Sequence, residues 1–160
     1  MLFTKVRKEE ADQVLALYRS LIGTEGCVWI EEYPCETEVD FDLSRDALFC
    51  LKNEENEMVG VISIDDDPQV TNLECWSAEL EPAVELSRLG VKVPYQNQGI
   101  ARILLTSLMQ QLKEQGIKGV RLLVCKENEK AIRSYSKLDF HVAGETEMFG
   151  HEYWCYEKAL

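Results

Sequence analysis

The chain has 160 residues, 46% of them hydrophobic and 29% charged, and a formal net charge of −12. That length supports one domain with a substantial core, and the composition is ordinary for a globular protein. So acidic a chain is a poor partner for nucleic acid, whose phosphates need clustered Lys and Arg, and no run approaches the eighteen apolar residues of a membrane span.

The opening stretch, MLFTKVRKEEADQ, is charged from residue 5 onward and has no apolar signal core, so a cytoplasmic protein is expected. Six cysteines stand at 27, 35, 50, 75, 125 and 155. None are spaced C-x-x-C, and His141 and His151 lie far from any cysteine pair, so six reduced thiols and no metal are expected. Charge is uneven: residues 1–80 hold 19 acids and 6 bases, residues 81–160 hold 10 acids and 11 bases. That asymmetry suits an anion held in one half and a cation in the other, and it equally suits a well-solvated surface.

In chain order, residues 2–7 (LFTKVR) read as a strand. Residues 8–23 carry apolar side chains at 11, 14, 15, 17, 18, 21 and 22, a helical stripe closed by Gly23. Residues 24–45 mix aromatics with many acids, and a short helix is expected near 36–44. The runs ALFCLKN and MVGVISIDD flank the polar turn NEEN as a hairpin. Residues 68–82 read as a long polar loop between Pro68 and Pro82. The next strand, 83–93, is stopped by Pro94. A helix over 97–115 places Ile100, Leu104, Leu105, Leu108, Met109 and Leu112 on one face and ends at Gly116. Residues 119–125 (GVRLLVC) form a strand buried on both faces. Asn128 caps a helix reaching about residue 138, with Ala131, Ile132, Tyr135 and Leu138 inward. Strands near 139–147 and 151–158 finish the chain. The order βα(α)βββαβαββ, with no repeat or linker, predicts a single mixed α/β domain over 1–160.

One junction stands out. The stretch VKVPYQNQGIARILL, residues 91–105, passes from strand to helix as Q-x-x-G-x-A, with no carboxylate in the first helical turn. A structural helix usually places Asp or Glu there to offset its dipole. Small residues at such a junction let backbone N–H groups approach a phosphate, and the bare dipole completes the anion site. The pattern is neither a nucleotide P-loop, since no G-K-[ST] follows, nor G-x-G-x-x-G.

The surrounding segments carry a resemblance. LGVKVPYQNQGIARILL resembles the pyrophosphate-binding motif A of the GNAT superfamily of acetyl-CoA-dependent N-acetyltransferases. LLVCKENEKAIRSYSKLDF resembles its motif B, apart from Asp139, where the family usually has glycine. The resemblance implies a mostly antiparallel central sheet flanked by helices. It implies that the backbone of Leu89, Gly90 and Val91 pairs with the pantetheine arm of acetyl-CoA, the Leu89 N–H polarising the thioester carbonyl. It implies that the amides of Gln96, Asn97, Gln98, Gly99, Ile100 and Ala101 hold the pyrophosphate, that Arg102 adds a charge, and that Asn128 reaches the cofactor near its thiol end. As a helix residue Asn128 is equally a plain cap.

Tyr135, seven residues after Asn128, takes the family's general-acid position, donating to the leaving thiolate; on the helix pattern alone it is a core aromatic. Some branches carry a base at the position of Leu123, which cannot act as one here. Others carry it at the position of Glu85. Alternation would place Glu85, Ser87, Leu89, Val91 and Val93 on one strand face, and a carboxylate partly desolvated there would be a competent base. The alternative is a solvated carboxylate at the strand end. In the family the region around 29–42 shapes the acceptor cleft, so Trp29, Glu32 and Tyr33 are candidate substrate contacts for a cationic amine, against the plainer reading of a solvated acidic helix.

The resemblance therefore implies acetyl transfer from acetyl-CoA to a primary amine by direct attack. The acceptor is a small molecule or a peptide or protein amine, with no nucleic acid, membrane or metal involved. No histidine is placed by the sequence to activate Cys125, which argues against an acyl-enzyme. A non-catalytic acyl-CoA sensor, a longer-chain acyltransferase and a homodimer through the carboxyl-terminal strands stay open.

Overall fold

The structure, a computed structural model, describes residues 1–160. Strand β1 (Leu2–Lys5) leads through a short 3-10 turn into α1 (Ala11–Leu21) and then α2 (Glu36–Ser44). The hairpin β2 (Leu48–Lys52) and β3 (Met58–Asp65) follows, then the single turn α3 (Pro68–Thr71) and strand β4 (Ala83–Val91). Helix α4 (Ile100–Glu114), strand β5 (Gly119–Cys125), helix α5 (Glu129–Lys137), β6 (His141–Met148) and β7 (His151–Ala159) complete the order.

The seven strands form one sheet in the order β1-β2-β3-β4-β5-β7-β6. The pairs β1/β2, β2/β3, β5/β7 and β6/β7 are antiparallel, while β4 runs parallel to β5, Ala83–Glu85 against Gly119–Arg121. The expected mixed, mostly antiparallel sheet flanked by helices is thus the fold.

Two expectations change. Helix α4 begins at Ile100 rather than at 97, because Asn97 and Gly99 adopt left-handed φ values of 61° and 79° that no right-handed helix continues. The stretch 68–82 is also not a plain loop. Asp67 Oδ1 accepts the Gln69 N–H at 2.9 Å and starts α3, and a second short turn forms at Ala78–Leu80. Farther on, the Ser77 N–H donates to Glu157 at 3.0 Å, and Glu81 pairs with the buried Arg121.

The chain divides into two compact units, Met1–Ile64 with Arg88–Ser107, and Asp65–Ser87 with Leu108–Leu160; β4 and α4 each run from one into the other. In the first unit the stripe of α1 (Val14, Leu17, Tyr18, Leu21) packs with Val39, Leu48, Cys50, Met58 and Val61. Helix α4 comes so close to β3 that a Cβ on Gly60 would lie 2.8 Å from Leu104 and 3.1 Å from Ile100, so glycine is required there. In the second unit Tyr135 meets Phe140 edge-on at 5.6 Å and lies 6.1 Å from Tyr156. All six α4 residues expected on one face are buried.

Candidate active site

The turn before α4 belongs to the first unit. No acid stands in the first turn of α4, as the sequence shows. Asn97 and Gly99 are left-handed just ahead of that helix start, a backbone type from which anion nests are built. Gln96 Nε2 donates to the Val91 carbonyl and Gln98 Nε2 to the Pro94 carbonyl, each at 3.0 Å. Their side chains therefore brace the turn, and the Gln96 N–H itself donates to the Val93 carbonyl at 3.2 Å, which leaves the N–H groups from Asn97 onward for a ligand. A Cβ on Gly99 would meet no atom within 4 Å, so the approach is open. Ile100 is buried and anchors the helix, Ala101 is half-buried, and Arg102 is exposed one position on. These features fit a pyrophosphate.

Strand β4 departs from the expected alternation. Arg88 has φ 48°, a left-handed kink inside a strand. Burial still alternates from Leu86 to Val91, with Ser87, Leu89 and Val91 half-buried, whereas Glu85 and Leu86 are both buried and break the pattern. A Cβ on Gly90 would point at Leu17, Leu21 and Trp29. The kink is tied by a buried network. Arg88 Nε donates to Asp42 Oδ2 at 3.0 Å, Nη2 to Oδ1 at 2.7 Å, and Nη1 to the Tyr33 hydroxyl at 3.1 Å. Asp42 also accepts from Ser63 Oγ at 2.7 Å and from Arg45 at 2.8 Å, and it is wholly buried.

The acidic segment is thus not one solvated face. Glu31, Glu32, Glu36 and Asp40 are exposed, Glu38 accepts the Cys35 N–H at 3.0 Å, and Asp42 is a buried ion. Trp29 packs edge-on against Tyr18 at 5.3 Å beside the core, while Tyr33 is exposed over its ring with its hydroxyl on Arg88. Sequence reading missed Asp42 and Arg88. The available signal was the i, i+3 spacing of Asp42 from the core residue Val39, which puts both on one helix face.

The second unit carries the remaining candidates. Glu85 is only 5% exposed, so it is not a solvated strand-end carboxylate; its register partner on β5 is Arg121. Tyr135 is buried, and that burial raises the pKa of its phenol and keeps it protonated. Asn128 is the N-cap of α5, its Oδ1 accepting the Ala131 N–H at 3.2 Å. Leu123 lies on β5 as an apolar side chain. The absence of a histidine near Cys125 is corrected: donor atoms of Cys125, Glu127 and His151 lie within 4.8 Å of one another.

Residues 14–140 match the acetyltransferase (GNAT) family, and the chain belongs to that family. A mycothiol acetyltransferase from Corynebacterium aurimucosum is 35% identical over 71 residues, which cover 44% of this chain and 23% of that protein. The match thus spans under a quarter of that relative. Among solved structures, the ribosomal-protein-S18-alanine N-acetyltransferase from Escherichia coli superposes with TM-score 0.76 at 16% identity, covering 99% of this chain and 92% of that one. An N-acetyltransferase from Staphylococcus aureus Mu50 gives TM-score 0.74 at 19% identity, covering 99% and 97%. These likenesses establish the fold.

Proposed function

We propose that the protein is an N-acetyltransferase moving the acetyl group of acetyl-CoA to a primary amine by direct attack, with Glu85 as general base and Tyr135 as general acid. The observation that carries the reading is the acid-free start of α4 behind left-handed Asn97 and Gly99, inside the stretch matched to the family. Residues 1–160 act as one catalytic domain in this reading.

Acetyl-CoA brings the activated thioester, and the chain's own groups do the rest. Backbone amides of 97–101 hold the pyrophosphate, the expected Gln96 amide being taken by the Val93 carbonyl, and the Leu89–Val91 backbone accepts the pantetheine arm as an added extended segment. Asn128 spends Oδ1 on its cap and has Nδ2 to offer the cofactor. The Leu89 N–H donates to the thioester carbonyl as charge develops on it. Glu85 takes a proton from the amine, directly or through water, as the C–N bond forms. The Tyr135 hydroxyl gives its proton to the thiolate as the C–S bond breaks. The exposed acids Glu31, Glu32 and Glu36 near Trp29 and Tyr33 favour a cationic acceptor.

No helix is long and apolar enough to cross a membrane, and all six cysteines are free thiols, which suits the cytoplasm. Strand β6 ends the sheet and offers an edge through which a second copy could pair.

The test screens amine classes for acetyl-CoA-dependent thiol release, then compares Glu85→Gln with the parent across pH. Glu85→Gln keeps shape and removes basicity. It is expected to lower kcat/KM by roughly 100-fold near neutral pH and to recover partly at high pH, where free amine is abundant. A uniform loss would make Glu85 a positioning group. Binding of acetyl-CoA without thiol release for any amine would replace the enzyme by an acyl-CoA sensor.

A further inference from the structure

Strand β5 ends at Cys125, whose antiparallel partner is Tyr153, two residues along β7 from His151. Alternation puts Cys125, Tyr153 and His151 on one face of the sheet. The β6–β7 turn is set by left-handed Phe149 and Gly150, φ 53° and 77°, which hold His151 at the start of its strand. On the other side the Asn128 N–H donates to the Cys125 carbonyl at 2.9 Å and the Lys126 N–H to the Glu152 carbonyl at 3.0 Å. Those two bonds close a turn with Glu127 in it. A thiol, a carboxylate and an imidazole thereby converge from three backbone positions, each donor within 4.8 Å of the others.

The neighbouring cation does not compete for them. Lys126 Nζ donates to Glu145 at 2.8 Å and sits 4.3 Å from the centre of the Trp154 ring. Cys125 is buried, His151 half-buried and Glu127 exposed, so the cluster has both a rigid base and an open side.

We propose that Cys125, Glu127 and His151 form a binding site for a transition-metal ion, with Zn²⁺ the ion that their donors fit. Zn²⁺ takes thiolate, imidazole and carboxylate at about 2.0–2.3 Å, which sets donors roughly 3.3–3.8 Å apart around a tetrahedron. Drawing the three donors from within 4.8 Å to those separations is what binding the ion requires of the side chains. Thiolate and carboxylate together neutralise the ion, and the Cys125 proton is released on binding. Hard ions such as Ca²⁺ and Mg²⁺ prefer all-oxygen sets and are excluded by the sulfur and nitrogen. Three protein ligands leave the fourth position to water. The site stands independently of the acetyl-transfer reading.

The test uses the reduced, metal-free full chain and Co²⁺ as a spectroscopic probe, followed by Zn²⁺ in competition with a chromophoric chelator. One equivalent of Co²⁺ is expected to produce a thiolate-to-cobalt charge-transfer band with visible bands of tetrahedral intensity, and Zn²⁺ to bleach both. Cys125→Ser is expected to abolish the charge-transfer band. His151→Gln and Glu127→Gln, which alter less buried positions, are each expected to weaken Zn²⁺ binding at least about tenfold. Cys27→Ser with Cys35→Ser is expected to leave the spectrum unchanged. Absence of the band in the parent chain overturns the proposal. So does unchanged Zn²⁺ affinity in both His151→Gln and Glu127→Gln, which would assign the metal to other thiols.

Discussion

Asp42→Asn tests how the kink in β4 is held. The substitution keeps the size of the side chain and removes its charge. In the parent, the carboxylate is wholly buried and accepts from Ser63, from Arg45 and twice from Arg88, whose residue is 6% exposed. Asparagine can turn its oxygen to only part of that set, and its NH₂ then faces guanidinium donors. Breaking a buried pair from one side strands the other charge, which costs about 3–5 kcal/mol. The total stability of a domain is about 5–15 kcal/mol, so the loss is a large fraction of it. At roughly 2–4 °C per kcal/mol for this size, the melting temperature falls by roughly 6–20 °C. The assay is urea unfolding followed by far-ultraviolet circular dichroism, reading the midpoint at constant slope. Arg88→Met and the double variant complete a cycle. The double variant, in which only the part-exposed Arg45 has lost its carboxylate, is expected to lose less than the sum of the singles by at least about 2 kcal/mol. A loss below about 1 kcal/mol for Asp42→Asn, or strict additivity, refutes the argument that this pair holds the strand.

Three further outcomes are expected. Gly99→Val puts a branched side chain at φ 79° where no protein atom is within 4 Å. The fold should survive with roughly 1–2 kcal/mol of backbone strain, while calorimetry shows acetyl-CoA affinity falling at least about tenfold; unchanged affinity in a folded variant would remove the pyrophosphate assignment. Tyr135→Phe keeps the ring contacts with Phe140 and Tyr156 and deletes the hydroxyl. Turnover should fall by about tenfold or more with little change in acetyl-CoA affinity, and undiminished turnover would leave Tyr135 a core residue. Glu10 supplies the pH prediction. Burial pushes its carboxyl up, but hydrogen bonds from Lys52 and from the Arg7 backbone and side chain outweigh it and hold the pKa at about 2, below the ordinary 4.5. Because the folded value is depressed, its contribution is full above about pH 4.5 and is lost as pH falls toward 2. At 1.36 kcal/mol per unit the gap amounts to about 3 kcal/mol. Glu10→Gln should flatten the urea midpoint across that acid window, and an unaltered acid slope would show that other carboxylates govern it.

What the sequence determined by itself was local. Apolar periodicity marked α1, α4 and α5, because a 3.6-residue period is written in neighbouring residues, whereas α2, with an acid at every second position from Glu36 to Asp42, shows no such stripe. The six buried positions of α4 and the capping role of Asn128 were legible for the same reason. So was the absence of any acid in the first turn of α4, which is read directly from contiguous residues. Tertiary structure alone decided the rest. Asp42 meets Arg88 across 46 residues and Glu10 meets Lys52 across 42. A buried ion and a solvated one are the same letter in the sequence, and only the fold supplies the partner that makes burial affordable. The left-handed Arg88 is a case in point, since arginine has no intrinsic preference for that conformation and a strand pattern gives no hint of it. His151 was likewise remote from Cys125 until antiparallel pairing of β5 with β7 folded one beside the other. Local chemistry announces elements and turns, whereas convergence of charged groups, and of Cys125 with His151, depends on strand order and register, which no short stretch encodes.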